Sequence, residues 1–193
     1  MKDPPFTQIR PLVEATAEAL LPFFDKPFAF FGHSMGALIG YELAQLLRTE
    51  RDAAPTHLFV AAHSAPHLRN RGVISYNLPH DEFLEELRRL KGTPQEVLDH
   101  PELMELMAPL LRADFEICET NPCSTAPPLE CPMTAFGGRD DVEVLQERIE
   151  AWREHTTGPF SLHMLPGDHF FIHTAQPDII RIVVQEMSKT RAA

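Results

Sequence analysis

Gly32-His33-Ser34-Met35-Gly36 has the form G-x-S-x-G. A serine hydroxyl is a weak nucleophile. It attacks a carbonyl only when a base removes its proton and a third group orients that base. Two later runs supply such groups. Gly137-Gly138-Arg139-Asp140-Asp141 offers two carboxylates, and Gly167-Asp168-His169-Phe170-Phe171 offers an imidazole. The chain order is therefore serine, acid, histidine. The chemistry this set would perform is acyl transfer through a covalent serine ester, with Ser34 as the nucleophile and His169 offered as the base, with nine other histidines competing. Asp140 and Asp141 both stay open as the orienting acid.

The elements around these runs are those needed to present them. Phe28-Ala29-Phe30-Phe31 is a short continuous apolar run and predicts a strand buried on both faces, the parallel-sheet kind. Ala37 to Arg48 follows the serine with strong helix formers that are apolar nearly all round. Strand, tight turn and buried helix is the context in which G-x-S-x-G is an elbow. The turn strains the serine backbone, and side chains in place of the two glycines are expected to clash. It also puts the backbone N–H of Met35 at the positive end of the helix, placed to donate to an oxyanion. His33 flanks the serine and is expected to point elsewhere, toward a supporting or lid-facing position.

Further strands are predicted at Thr56–Ala62, at Met133–Phe136 (ended by Gly137-Gly138) and at Phe160–Leu165 (ended by Pro166-Gly167). Helices are predicted at Thr7–Phe24, Glu143–His155 and Pro177–Lys189. Alternation of this kind builds a parallel sheet covered by helices, with its site at the carboxyl ends of the strands. Residues 80–120 break the rhythm. Helices are predicted to open at Asp81, near Thr93-Pro94 and at Pro101, with Thr and Asp as N-caps and proline in the first turn. An insertion of about 40 helical residues in such a fold reads as a lid. The whole chain, 1–193, reads as one domain.

Composition removes several functional classes. The formal net charge of −11 disfavours nucleic acid and anionic membranes as partners. No apolar run approaches the roughly 18 residues that span a bilayer. Cys118, Cys123 and Cys131 have no C-x-x-C spacing and read as free thiols of a cytoplasmic protein. His63 and His67, and His169 and His173, are spaced by four, but no Cys or acid completes a zinc set, so no metal and no cofactor is expected.

Four stretches together resemble one family. Gly32-His33-Ser34-Met35-Gly36-Ala37 resembles the serine motif of the type II (editing) thioesterases of polyketide and nonribosomal peptide synthesis, members of the α/β-hydrolase superfamily. Ala151-Trp152-Arg153-Glu154-His155-Thr156-Thr157-Gly158-Pro159-Phe160, Gly167-Asp168-His169-Phe170-Phe171 and the lid run Ala113-Asp114-Phe115 are similar to further stretches of it. The resemblance runs from about Pro5 to Val184. It implies Ser34, Asp141 and His169 as catalytic triad, Asp141 standing at the end of the family's Gly-Gly-x-x-Asp turn, with Val142 where relatives often have proline. It implies hydrolysis of aberrant acyl groups from the phosphopantetheine arm of an acyl or peptidyl carrier protein. Phe83, Leu84, Leu87, Met104, Met107 and Leu111 of the lid are then the acyl-pocket candidates. A general esterase or acyl-CoA hydrolase of the same fold, and a remnant with impaired catalysis, are the alternatives. Relatives carry roughly 70 residues before the helix at Thr7, in keeping with the usual size of such folds. The resemblance thus implies an N-terminally truncated form, lacking strands beside Phe28–Phe31 and a His-Ala-Gly-Gly-like loop with a second oxyanion donor.

Overall fold

The computed structural model describes residues 4–68, 74–122 and 126–190. Cys123 lies outside them. Two compact units are present, Met1–Leu12 with Asn70–Pro122, and Val13–Arg69 with Cys123–Ala193.

The second unit is an α/β sandwich. Its strands are β1 (Ala29–His33), β2 (His57–Ala61), β3 (Met133–Gly138) and β4 (Phe160–Leu165). They form one parallel sheet in the order β1-β2-β3-β4. Parallel neighbours need a crossover, usually helical. Helix α2 (Met35–Glu50) makes the first and α6 (Gln146–Glu150) the last. Side chains alternate across the strands. Leu58, Val60, Met133 and Ala135 pack with Tyr41 and Ala44 of α2 and with Ile149 and Trp152. Phe59, Ala61, Phe136 and Leu165 face the other way, onto Phe171 of α7 (Phe171–Thr174) and Ile179 and Ile182 of α8 (Gln176–Thr190). Both faces of β2 and β3 are covered, which is why all their residues are buried.

The first unit is helical over α3 (His80–Leu90), α4 (Gln95–Leu98) and α5 (Pro101–Thr120). Its own core joins Phe83 and Leu87 to Leu98, Met104 and Ala108. Ahead of both units' main parts, α1 runs from Ile9 to Leu20 and continues as a 3₁₀ turn, Leu21–Phe23.

Four local expectations are corrected. The nucleophile strand starts and ends later than Phe28–Phe31 and is not buried on both faces, since Phe31 is 45% exposed. Among the described residues β1 pairs with β2 alone, so it stands at the sheet edge. Gly137-Gly138 does not end β3 but belongs to it, paired with Met164 and Leu165. The helix expected from Glu143 starts at Gln146, because Asp141 Oδ1 accepts the N–H groups of Glu143 (2.8 Å) and Val144 (3.1 Å) and holds that turn out of the helix. The N-caps of α3, α4 and α5 are Pro79, Pro94 and His100, none with a side-chain cap bond. His100 precedes Pro101, and the proline ring keeps its backbone extended, outside the helix.

Candidate active site

Ser34 stands between the last residue of β1 and the first of α2. Its φ of 53° lies in the left-handed region, a strained place for a residue with a Cβ. The strain is held by two backbone bonds: Ser34 N–H donates to Ala61 O at 2.8 Å, and Ala37 N–H donates to Ser34 O at 2.9 Å. The two motif glycines have different reasons. A Cβ on Gly32 would overlap the carbonyl of Gly36, so the strand and helix can cross there only with glycine. A Cβ on Gly36 would meet nothing within 4 Å, so the expected clash at Gly36 is absent.

The other two groups come from the ends of β3 and β4. His169 Nε2 lies 3.1 Å from Ser34 Oγ, and His169 Nδ1 lies 3.0 Å from Asp141 Oδ2. A carboxylate only accepts, so Nδ1 carries the proton and Nε2 faces the serine as an acceptor. The loops meet because Gly138 has no side chain: a Cβ there would overlap the carbonyls of Gly167 and Asp168. Arg139 N–H to Leu165 O (2.8 Å) and Asp140 N–H to Gly167 O (3.0 Å) then tie the acid turn to the histidine loop. Asp140 is thereby turned outward and exposed, while the Asp141 side chain is fully buried.

Burial alone would raise the Asp141 pKa. The hydrogen bond and charge of His169 and the two backbone N–H donors outweigh it, and the carboxyl is held below its usual value. Met35 is the first residue of α2, where a backbone N–H has no acceptor within the helix. The arrangement offers a hydroxyl, a base with the needed tautomer, an ionised orienting acid and an N–H donor beside the hydroxyl.

His33 has a supporting position that the motif alone did not define. Its Nε2–H donates to His169 O at 2.8 Å, and its ring packs against Phe170 and Phe171. Burial lowers its pKa, so it stays neutral. Asp168 Oδ1 accepts Phe170 N–H at 2.9 Å and fixes the same loop. The signal for both was adjacency to the motif residues.

The six acyl-pocket candidates all lie in the helical unit. Phe83, Leu87 and Met104 are buried in that unit's own core, with Leu84 and Leu111 packed against it. Leu84 and Met104 also line a cavity of about 870 Å³ between α3 and α5. Met107 is half-buried. Among the described residues no group of three His, Cys, Asp or Glu could hold a metal ion, and no helix is long and apolar enough to cross a membrane.

The thioesterase-domain family matches residues 1–186. The chain is 44% identical to the linear gramicidin dehydrogenase LgrE of Brevibacillus parabrevis over 94% of its own length and 70% of LgrE. It is similar to the solved thioesterase RedJ of the prodiginine pathway in Streptomyces coelicolor (40% identity, TM-score 0.80, 89% of this chain and 64% of RedJ). It is also similar to YbtT, a type II thioesterase from the yersiniabactin NRPS/PKS pathway (32% identity, TM-score 0.83, 96% of this chain and 76% of YbtT). The chain thus spans just under two thirds to about three quarters of these relatives. With the family matched over nearly its whole length and an α/β-hydrolase sheet beneath the serine elbow, the chain belongs to the thioesterase family of thioester hydrolases, and its relatives include the type II thioesterases of nonribosomal peptide and polyketide pathways.

Proposed function

We propose that the protein hydrolyses acyl groups held as thioesters on the phosphopantetheine arm of acyl or peptidyl carrier proteins, with Ser34, His169 and Asp141 as its catalytic triad. The observation that carries this reading is the unbroken chain from Ser34 Oγ through His169 to the buried Asp141, at 3.1 and 3.0 Å, on a strained elbow. The pathways named for RedJ and YbtT support the carrier-bound substrate. LgrE carries a dehydrogenase's name. No Gly-x-Gly-x-x-Gly run occurs in this sequence, and the family and the serine elbow carry the reading instead.

Ser34 Oγ attacks the thioester carbonyl as His169 Nε2 takes its proton. The imidazolium is stabilised by Asp141, and the Met35 N–H donates to the oxyanion. The tetrahedral intermediate collapses, the C–S bond breaks, and the proton on His169 passes to the leaving thiolate. Water then attacks the Ser34 ester, giving its proton to His169. The C–O bond breaks, the proton returns to Ser34 Oγ, and the free acid departs.

Intact-mass measurement after treatment with a serine-directed fluorophosphonate tests the nucleophile. One adduct is expected on the wild-type chain and none on Ser34→Ala. Labelling that survives in Ser34→Ala would overturn the assignment. Acyl-carrier, acyl-CoA and nitrophenyl ester substrates assayed in parallel separate the carrier reading from a general esterase, and the carrier substrate is expected to have the highest kcat/KM.

A further inference from the structure

A second histidine stands close to this site, and the mechanism does not use it. Residue Ala61 ends β2, pairs with His33, and accepts the N–H of Ser34. Ala62, with φ of 51°, then turns the chain, and His63 comes next. The segment is clamped at three consecutive residues. Trp152 Nε1–H donates to His63 O at 2.7 Å, Arg148 Nε–H donates to Ser64 Oγ at 2.8 Å, and Ala65 N–H donates to Arg148 O at 3.0 Å. The ring is fixed as well. His63 Nδ1 lies 2.7 Å from Ser64 O, and a carbonyl only accepts, so Nδ1 holds the proton and Nε2 presents a lone pair.

Burial lowers the His63 pKa to about 4, with smaller contributions from His169 and Arg148, so this lone pair persists at neutral pH. His63 follows Ala61, whose carbonyl accepts the Ser34 N–H, by two residues, so its backbone lies beside the serine elbow. Nε2 has no hydrogen-bond partner among the described residues. The residue is half-buried. A rigid, neutral acceptor near a reacting serine favours a ligand that brings a donor. It disfavours one that brings only acceptors, whose lone pairs would oppose it.

We propose that His63 is a specificity-determining residue that receives, on Nε2, an N–H group of the substrate lying near the scissile carbonyl. The inference rests on the thioesterase reading above and adds a substrate class to it. Two parts of a carrier-bound thioester have such a donor: the α-ammonium group of an aminoacyl chain, and the amide of the thiol arm.

Three thioesters separate the two sources. Alanyl- and propionyl-N-acetylcysteamine differ only in the α-ammonium group. Propionyl-N-acetylcysteamine and propionyl-S-ethyl thioester differ in the arm amide. Their kcat/KM values are measured for wild type, His63→Phe and His63→Gln, with Ser34→Ala as the background. Wild type is expected to favour the donor-bearing member of one pair by about tenfold, the worth of one charge-assisted or well-aligned hydrogen bond. His63→Phe should bring that ratio to about one, and His63→Gln, whose amide oxygen still accepts, should keep part of it. The alanyl/propionyl ratio collapsing assigns the α-ammonium group, and the arm ratio collapsing assigns the amide. Both ratios unchanged in His63→Phe would overturn the proposal. Fluorophosphonate labelling of Ser34 certifies each variant as folded, and His63→Ala replaces the phenylalanine variant if that one does not label. A wild-type chain no faster than Ser34→Ala on all three thioesters overturns the thioesterase reading, and this inference with it.

Discussion

Two adjacent aspartates with opposite orientations show how fine the site's geometry is. The β3–β4 backbone bonds turn Asp140 to solvent and Asp141 onto the His169 ring. Asp141→Asn should lower kcat by up to about 10⁴, because an amide at this position favours the wrong imidazole tautomer. Asp140→Asn should stay within a few-fold of wild type. Steady-state thioester hydrolysis measures both, and the reverse ranking would move the acid to Asp140. The sequence alone left the two open, because a turn of two glycines and two acids does not say which carboxylate faces inward. The resemblance to known thioesterases selected Asp141, and the Glu143 and Val144 N–H bonds give the physical reason it suits an ionised acid. His33 was legible only as a neighbour of the serine. Its bond to the His169 carbonyl spans 136 positions of the chain, a separation no local pattern encodes.

At the scale of elements, the strand–turn–helix around Ser34 divides its two glycines. Gly32→Ala places a methyl group against the Gly36 carbonyl and should abolish soluble folded protein or shift the elbow by enough to remove labelling. Gly36→Ala meets open space in the first turn of α2. It should leave thermal stability unchanged or raise it slightly, since alanine is the better helix former. Melting temperatures of the two variants check the contrast. In the helical unit, Phe83 stacks edge-on with Phe115 and lies under the Arg112 guanidinium, 4.2 Å from the ring centroid. Phe83→Ala should cost about 3–5 kcal/mol of that unit's stability, read by denaturant melts, because a full aromatic ring leaves a cavity there. The three helices of this unit were readable from helix-forming runs and prolines. Their caps were not: Pro79 and Pro94 are themselves the N-caps of α3 and α4, and His100, held extended before Pro101, is that of α5.

For the whole molecule, acid sensitivity follows from histidines that folding keeps neutral. His155 is buried between Tyr41 Oη (2.9 Å from Nδ1) and His67 Nδ1 (2.8 Å from Nε2), and Gln45 Nε2–H donates to the same tyrosine oxygen at 2.8 Å. Burial pushes the His155 pKa down to about 4, helped by His67 and opposed by Glu154, and His63 is lowered as far. Both pKa values are lower in the folded state than in the unfolded chain, where histidine titrates near 6.5. The unfolded chain therefore binds more protons between about pH 4 and 6.5, and stability is full above that window and falls as pH drops through it. Melting temperatures at pH 7.5 and 5 should differ by several degrees at constant ionic strength. His155→Gln should flatten the dependence, and a wild-type curve flat over this range would contradict the account.

The sequence by itself determined the class of fold and the four strands and offered a candidate serine, acid and histidine, because each rests on local signals. Apolar runs make strands, glycines mark the elbow, and serine, acid and histidine occur in the order an α/β sheet can use. Only the tertiary structure gave the physical reason that Asp141 and not Asp140 faces inward. It also decided why Gly138 must lack a side chain, and where His33 spends its Nε2–H. These are relations between residues far apart in the chain, fixed by strand order and by the close approach of backbones. Composition and periodicity carry no record of them.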